Sequence, residues 1–442
     1  MELRLKWNFI NKSSVDSTKA EDVIENLRPS KHLKKLSIWN YVGKHFPNWL
    51  LNNSLSNLVS IAFYNCTCCQ HLPLLGLLPF LKNLEISRFD KIVRIEADFH
   101  GNNSCSFKSL ETLKFSYMSE WEKWDGQAVT GVFPCLRELS IRDCPKLKGH
   151  LPEFVALKIL EVSHCEQLEA LMGSAIELRL QERGKLQLES GTMGGHNMEG
   201  SLVGTVGHII FNTSLECLQL YSAMKSTSDD SVSLRTLPLD FFPTLKTLHL
   251  SGFRNLEMIS QCLIHTHLEY LTITRCPKLE LLHGNMYMLL PSLRSLDIED
   301  CPRLESFPDG GLPSNLINMR LMGLSNCSRF VGSLKGAFED CSSLRSLWIG
   351  KVNAECFPDE GLLPLSLTHL IIFGTPNLEK LNYKGLYQLS SLEALVLWDC
   401  QGLPKSISVF RIINCPLLNQ RCQKEGGEDW KKIAHIKIRN IF

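Results

Sequence analysis

Leu293-Arg-Ser-Leu296-Asp-Ile298-Glu-Asp-Cys301 is one copy of a phrase, L-x-x-L-x-[LIVF]-x-x-C, that recurs along nearly the whole chain. It returns as Leu136…Leu139…Ile141…Cys144, as Leu268…Leu271…Ile273…Cys276 and as Ile407…Phe410…Ile412…Cys415. Looser copies start at Leu33, Leu58, Leu81, Leu110, Leu157, Leu215, Leu245, Leu316, Leu344, Leu367 and Leu392. From Leu245 to Leu392 the steps are 23, 25, 23, 28, 23 and 25 residues. Residues 4 and 6 of each copy are apolar and alternate with polar neighbours, as a short half-buried strand requires. In the quoted copy Leu296 and Ile298 point inward, and Asp297 and Glu299 point outward.

A period of this length is that of a leucine-rich repeat. The expected fold is an α/β repeat solenoid: a horseshoe with a parallel β-sheet on its concave face and mostly irregular, occasionally short-helical convex segments. No single strand is stable alone, but neighbouring repeats pair edge to edge. Each buried Leu or Ile contributes about 1.5–3 kcal/mol against the ordering of many short loops. Leu147, Leu168, Leu256, Leu279, Leu304 and Leu378 form a second set of anchors on the return segments. Phe133-Pro134, Phe242-Pro243 and Leu290-Pro291 precede strands, where a missing N–H does no harm. Phe307-Pro-Asp-Gly-Gly311-Leu-Pro313 and Phe357-Pro-Asp-Glu-Gly361-Leu-Leu-Pro364 are near-copies of one connector. Thr18-Lys-Ala-Glu21 reads as a capping box opening a helix that Pro29 ends.

The periodicity fails at about Gly184–Asn212, where seven glycines interrupt it. Leu3, Leu5 and Trp7 fit positions 4, 6 and 8 of a copy whose first residue would precede Met1. The organisation expected is a truncated repeat and helix at 1–32, repeats at 33–183 and a degenerate Gly-rich stretch at 184–212. Further repeats follow at 213–418, with a C-terminal cap at 419–442. The chain reads as the C-terminal part of a longer architecture.

Composition narrows the function. A formal net charge of +1 gives no global field towards nucleic acid or an acidic membrane. The longest apolar stretch, Leu72–Leu81, carries Pro73, Gly76 and Pro79, so no membrane insertion is expected. The alternation over Met1–Ile10 reads as a strand rather than a signal peptide. Of 17 cysteines, seven (Cys66, Cys144, Cys165, Cys276, Cys301, Cys400, Cys415) hold the same ninth position of the repeat. A residue that recurs with the fold is used for packing, which implies free thiols and a reducing compartment. The six Asn-x-Ser/Thr sequons, starting at Asn11, Asn52, Asn65, Asn102, Asn212 and Asn326, then read as chance matches.

Chemistry finds little support. Cys66-Thr-Cys68-Cys69-Gln-His71 is crowded enough for zinc, but Cys66 is already a packing position and no second ligand pair lies nearby. Cys422 and His435 lack a third orienting group. There is no G-x-S-x-G elbow and no H-E-x-x-H pair, so neither enzyme activity nor a cofactor or metal is expected. The outward ladder positions remain. Residues 5, 7 and 8 of successive copies give Trp39, Tyr64, Arg88, Tyr117, Arg142, His164, Tyr221, His249, Arg275, Glu299, Arg320, Trp348 and Trp398. Tyr, Trp and Arg are the types enriched at interface hot spots, and the mixed signs favour protein over nucleic acid as the ligand.

Three stretches carry a family resemblance. The first is Leu33-Lys-Lys-Leu36-Ser-Ile38 with Tyr41-Val-Gly-Lys-His-Phe46-Pro47-Asn-Trp49-Leu50. The second runs from Leu72-Pro73-Leu-Leu-Gly76-Leu-Leu-Pro79 to Met118-Ser-Glu-Trp121-Glu-Lys-Trp124. The third, and most specific, is Asn414-Cys415-Pro416 with Arg421-Cys422 and Gly427-Glu-Asp-Trp430-Lys-Lys-Ile433-Ala-His435-Ile436. Through them the chain resembles the leucine-rich-repeat region of plant coiled-coil nucleotide-binding leucine-rich-repeat disease resistance proteins. The resemblance implies a cytoplasmic role in innate immunity, with the nucleus or the membrane periphery as variants. It implies sensing a pathogen effector, or a guarded host protein, and restraining a nucleotide-binding domain in cis or in trans. The chain has no G-x-x-x-x-G-K-[ST], so ATP or ADP binding does not carry over to it. Two other readings stay open: an F-box-like substrate adaptor and an extracellular repeat receptor. The first lacks an F-box-like helical segment before Leu33, and the second lacks a signal peptide and disulfide caps.

Overall fold

The computed structural model describes the chain except residues 8–16, 52–54, 102–105, 126–131, 149–150, 153, 166, 169–213, 223–233, 262, 281, 283–284, 305, 308–310, 325–332, 334–335, 339–340, 351–355, 374–379, 399–408, 414–425, 427–437 and 442. The Gly184–Asn212 stretch, Cys400, Cys415, Cys422 and His435 lie outside the described residues, as does most of the expected C-terminal cap. Two compact units are present, Met1–Leu234 and Arg235–Phe442.

In the first unit the strands Glu2–Lys6, Lys35–Trp39, Ser60–Tyr64, Asn83–Ser87, Thr112–Ser116, Glu138–Arg142, Ile159–Ser163 and Cys217–Tyr221 pair in sequence order, all parallel and in register. The second unit repeats the arrangement in Thr247–Ser251, Tyr270–Thr274, Ser295–Glu299, Asn318–Met322, Ser346–Gly350, His369–Phe373, Ala394–Trp398, Val409–Ile413 and Ile438–Ile441. Each is a leucine-rich-repeat solenoid. Strand Ser295–Glu299 shows why these residues form the ladder: Leu296 and Ile298 are fully buried, and Ser295, Asp297 and Glu299 alternate with them on the other side.

The strands end in a way that alternation does not suggest. In ten described copies the eighth residue has a left-handed backbone: Asn40, Asn65, Arg88, Tyr117, Asp143, His164, Gly252, Arg275, Asp300 and Gly323, with φ between 52° and 80°. Nine of these N–H groups (those of Asn40, Asn65, Arg88, Tyr117, Asp143, His164, Gly252, Arg275 and Asp300) donate to the seventh residue's carbonyl in the next strand at 2.7–3.0 Å. The ladder therefore closes at residue 8 and the chain turns inward at residue 9. In nine of these ten copies that ninth residue is buried: Tyr41, Cys66, Phe89, Met118, Cys144, Cys165, Cys276, Cys301 and Leu324 are each at most 3% exposed, while Phe253 is half-buried. Where it is cysteine, the thiol donates back to the seventh carbonyl, as Cys144 does to Arg142 at 3.2 Å and Cys165 to Ser163 at 3.2 Å. Burial pushes the Cys66 thiol up to about 12, so it stays protonated and packs as a small apolar group.

The return segments carry short helices at Asn48–Leu51, Ala97–His100, Met286–Leu289 and Tyr383–Tyr387. Among the described residues they also carry three two-stranded parallel pairs, such as Arg94–Ile95 with Lys123–Trp124. In the first unit the core is aromatic. Phe63, Phe89, Phe99, Phe107, Phe115, Trp121, Trp124 and Phe133 are almost wholly buried and meet at ring-centroid distances of 4.8–6.4 Å.

The helix near the start spans Ser17–Asn26. Thr18 and Glu21 do not cap it as a box, because Thr18 already lies inside it. The Glu21 carboxylate instead accepts from the backbone N–H groups of Lys44 and His45 at 2.5 and 3.2 Å, and Glu25 accepts from that of Asn48 at 2.8 Å. The helix thus anchors the next repeat's connector, with Ala20 and Ile24 as its buried stripe.

Candidate recognition surface

In-register parallel strands stack outward residues of equal position into rows about 4.8 Å apart. In the first unit the seventh-position row runs from Lys6 to Trp39 and on to Tyr64. The Trp39 and Tyr64 rings stack at 3.9 Å, and the Tyr64 hydroxyl donates to Glu85 at 2.6 Å. Burial, with Glu85 beside it, holds the Tyr64 phenol well above its ordinary range, so it remains a donor. Further along, the Ser116 hydroxyl donates to Ser87 at 2.9 Å. Arg142 then forks onto Glu161 at 2.5 and 2.7 Å, with Ser140 adding a bond to the same carboxylate at 3.1 Å. That fork raises the pKa of the Arg142 guanidinium above its ordinary value. Tyr221 ends the row, its hydroxyl donating to Gln219 at 3.4 Å.

The left-handed turns add a second row. The Arg88 guanidinium lies over the Tyr117 ring at 5.1 Å, and Tyr117 is 49% exposed. His164 Nδ1 lies 3.1 Å from Asp143 and 3.4 Å from the Ser163 hydroxyl. Both neighbours address one ring nitrogen, whereas a nucleophile–base–acid relay needs the two nitrogens on opposite sides. The trio is a polar contact and has no catalytic geometry.

In the second unit the fifth-position row reads His249, Thr272, Asp297, Arg320 and Trp348 across five neighbouring strands. Arg320 lies over the Trp348 ring at 5.4 Å and reaches Glu299 at 3.4 Å and Asp297 at 3.9 Å. Burial raises the Asp297 carboxyl, with Arg320 opposing that shift. Trp348 is 41% exposed, and its indole N–H turns to Ser346 at 3.2 Å. Burial, with Arg275 as a second cause, lowers the pKa of His249. Trp398 ends the Ala394–Trp398 strand beside Phe373.

The sites expected from sequence thus gather into local groups: Trp39 with Tyr64, Arg88 with Tyr117, Arg142 near Tyr221, and Glu299 with Arg320 and Trp348. Arg88, Tyr117, His164 and Arg275 occupy left-handed turns rather than strand positions. The sequence reading missed the residues that hold these groups in place: Glu85, Glu161, Asp143 and Asp297. Their signal was available, since Glu85, Glu161 and Asp297 occupy the fifth position of their own copies. Tyr270, 47% exposed at a third position, was missed as well.

The crowded Cys66–His71 segment is divided between core and surface. Cys66 and Cys69 are buried, and Cys69 donates to the Gly43 carbonyl at 3.2 Å, while Cys68 is exposed. Among the described residues no group of His, Cys, Asp and Glu is placed to hold a metal ion. Among them, too, no helix is long and apolar enough to cross a membrane.

Comparison with known proteins agrees with this architecture. Residues 1–89 match the family model described as R13L1/DRL21 LRRs. The chain is 36% identical over 184 residues to the disease resistance RPP13-like protein 1 of Arabidopsis thaliana, covering 38% of this chain and 18% of that protein. To the disease resistance protein RGA2 of Solanum bulbocastanum it is 28% identical over 171 residues, covering 36% and 17%. A longer match, 28% identical over 359 residues, links it to the disease resistance protein RPP4 of Arabidopsis thaliana and covers 68% and 30%. The chain therefore spans less than a third of the length of these relatives, and the stretch it matches is a leucine-rich-repeat region of resistance proteins.

Proposed function

We propose that this leucine-rich-repeat chain, similar over its repeats to plant disease resistance proteins, is the protein-recognition module of an intracellular immune receptor. Its outward ladder rows bind a pathogen effector or an effector-modified host protein. Through the same repeats it restrains a nucleotide-binding domain in cis or in trans, in the cytoplasm or at the nucleus or membrane periphery. One observation carries the reading: aromatic and guanidinium groups stand half-exposed on a rigid ladder, already held by partners of their own, as Arg320 is by Glu299 and Trp348. Groups ordered in advance lose little side-chain entropy on binding, so their contacts count towards affinity. Tyr, Trp and Arg are also the side chains whose truncation costs most at interfaces.

The test is a Trp39→Ala/Trp348→Ala double variant placed in a full receptor carrying these repeats. The expected result is normal accumulation with loss of the effector-triggered response and of co-precipitation of the sensed protein. Each lost hot spot should weaken binding by about 2 kcal/mol or more, roughly thirtyfold. An unchanged response with both indoles removed would sink the site assignment.

A further inference from the structure

The strand starts of four adjacent repeats in the second unit bring Glu269, Arg294, Ile317 and Arg345 side by side. Backbone bonds fix the order: Arg294 N–H to Glu269 O, Ile317 N–H to Arg294 O and Arg345 N–H to Ile317 O, each 2.8 Å. At about 4.8 Å per rung the two arginine backbones stand roughly 10 Å apart. Between them Ile317 supplies an apolar floor that cannot compete for their donors. Ser292, Asn315, Ser342 and Ser343 complete the rim of an open depression of about 450 Å³. Two of these are pinned: the Ser292 hydroxyl donates to Thr266 O at 2.6 Å and the Asn315 amide to Pro291 O at 2.8 Å.

The charges are unevenly satisfied. Glu269 lies 3.6 Å from Arg294 Nε, an ion pair too long for a good hydrogen bond. Among the described residues no ion pair or hydrogen bond engages the side chains of Arg345, Ser342 or Ser343, the Thr368 hydroxyl donating only to the Arg345 carbonyl. Two guanidinium forks and two unengaged hydroxyls therefore face one space beside a single carboxylate. Such forks match the oxygens of a carboxylate or a phosphate. A monoanion would only exchange one carboxylate for another at Arg294. A dianion reaches both arginines at once and outcompetes Glu269.

We propose that this depression is a phosphoryl-binding site. Arg345 and Arg294 take the oxygens of a phosphate dianion, the Ser342 and Ser343 hydroxyls donate to it, and Glu269 acts as the built-in competitor. The phosphoryl group is either free phosphate or a phosphomonoester; the chemistry that recognises it is the same.

Calorimetric titration of the 442-residue chain at low ionic strength tests this, with inorganic phosphate, O-phosphoserine and acetate as probes. Saturable binding of phosphate or phosphoserine, and none of acetate, is expected. Inorganic phosphate binding as well as phosphoserine identifies free phosphate as the source, and a preference for phosphoserine identifies the ester. Arg345→Gln should weaken binding at least tenfold, and Glu269→Gln should strengthen it severalfold. Arg303→Gln, at a residue paired with Glu280 at 3.0 Å away from the depression, should leave it unchanged. Thermal unfolding of each variant checks the fold; Arg345 and Arg303 are exposed and Glu269 is half-buried. No saturable binding of either phosphate probe overturns the proposal. So does wild-type affinity in Arg345→Gln, or weaker binding in Glu269→Gln.

Discussion

Residue 8 of the repeat shows how one backbone angle shapes the surface. A left-handed φ costs a residue with a Cβ roughly 1 kcal/mol more than glycine, and Asn or Asp somewhat less. Gly252 and Gly323 carry no such cost, whereas Arg88, Tyr117, His164 and Arg275 do. At Gly323 an added Cβ would come 2.0 Å from the Asp300 carboxylate and 3.1 Å from its Cα. Gly323→Ala should therefore destabilise the second unit by more than the ~1 kcal/mol of an ordinary glycine effect, read by chemical denaturation. Arg275→Gly should instead be neutral or slightly stabilising.

His100 makes a second residue-scale prediction. Trp124 Nε1–H donates to His100 Nε2 at 3.1 Å, so the ring proton sits on Nδ1, which is buried without a partner. Burial among Phe99, Phe107, Trp124 and Phe133 lowers the pKa of His100 from 6.5 to about 4. Between those values the unfolded chain binds the proton and the folded chain does not. Stability is thus complete above about 6.5 and falls as pH drops towards 4, by up to about 3 kcal/mol. Denaturation curves at pH 7.5 and 4.5 should show a smaller acid loss for His100→Phe than for the natural chain. An equal loss in both would rule out His100 as the source.

At the scale of elements, each strand is stable only through its neighbours. Leu296→Ala removes a fully buried ladder side chain and should cost about 2–5 kcal/mol. Because repeat arrays open locally, native-state hydrogen exchange is the measurement: amides of Ser295–Glu299 and the two flanking strands should exchange faster, and those of distant strands should not. Val23→Ala, at a helix position 58% exposed, should change nothing beyond about 0.5 kcal/mol.

The strands themselves were legible in the sequence, because apolar residues at positions 4 and 6 announce both burial and register. The left-handed turn was not. Strict alternation would send residue 8 inward, and nothing about Arg88 or Tyr117 advertises a positive φ. The capping pattern at Thr18–Glu21 misled for a related reason: a carboxylate bonds whichever N–H groups tertiary packing brings near, here those of Lys44 and His45. On the recognition rows, a list of aromatic and cationic residues gave the groups to be held. The acids that hold them, Glu161 under Arg142 and Glu85 under Tyr64, needed the register between repeats, which aligned copies contain and a list of residue types does not.

At the scale of the whole molecule, each unit presents side chains in rows, several of them held from the neighbouring strand, as Arg142 is by Glu161 and Arg320 by Glu299. Rows of this kind on a repeat solenoid are suited to holding a macromolecule. Oxidative footprinting of the chain, alone and with a protein that the proposed recognition role would make its partner, tests this most directly. Trp39, Tyr117 and Trp348, exposed on the ladder side, are expected to become protected in the complex. Phe80 and Met288, 57% and 55% exposed on return segments, should label as before. Protection of Phe80 and Met288 with Trp39, Tyr117 and Trp348 still fully reactive would contradict that role.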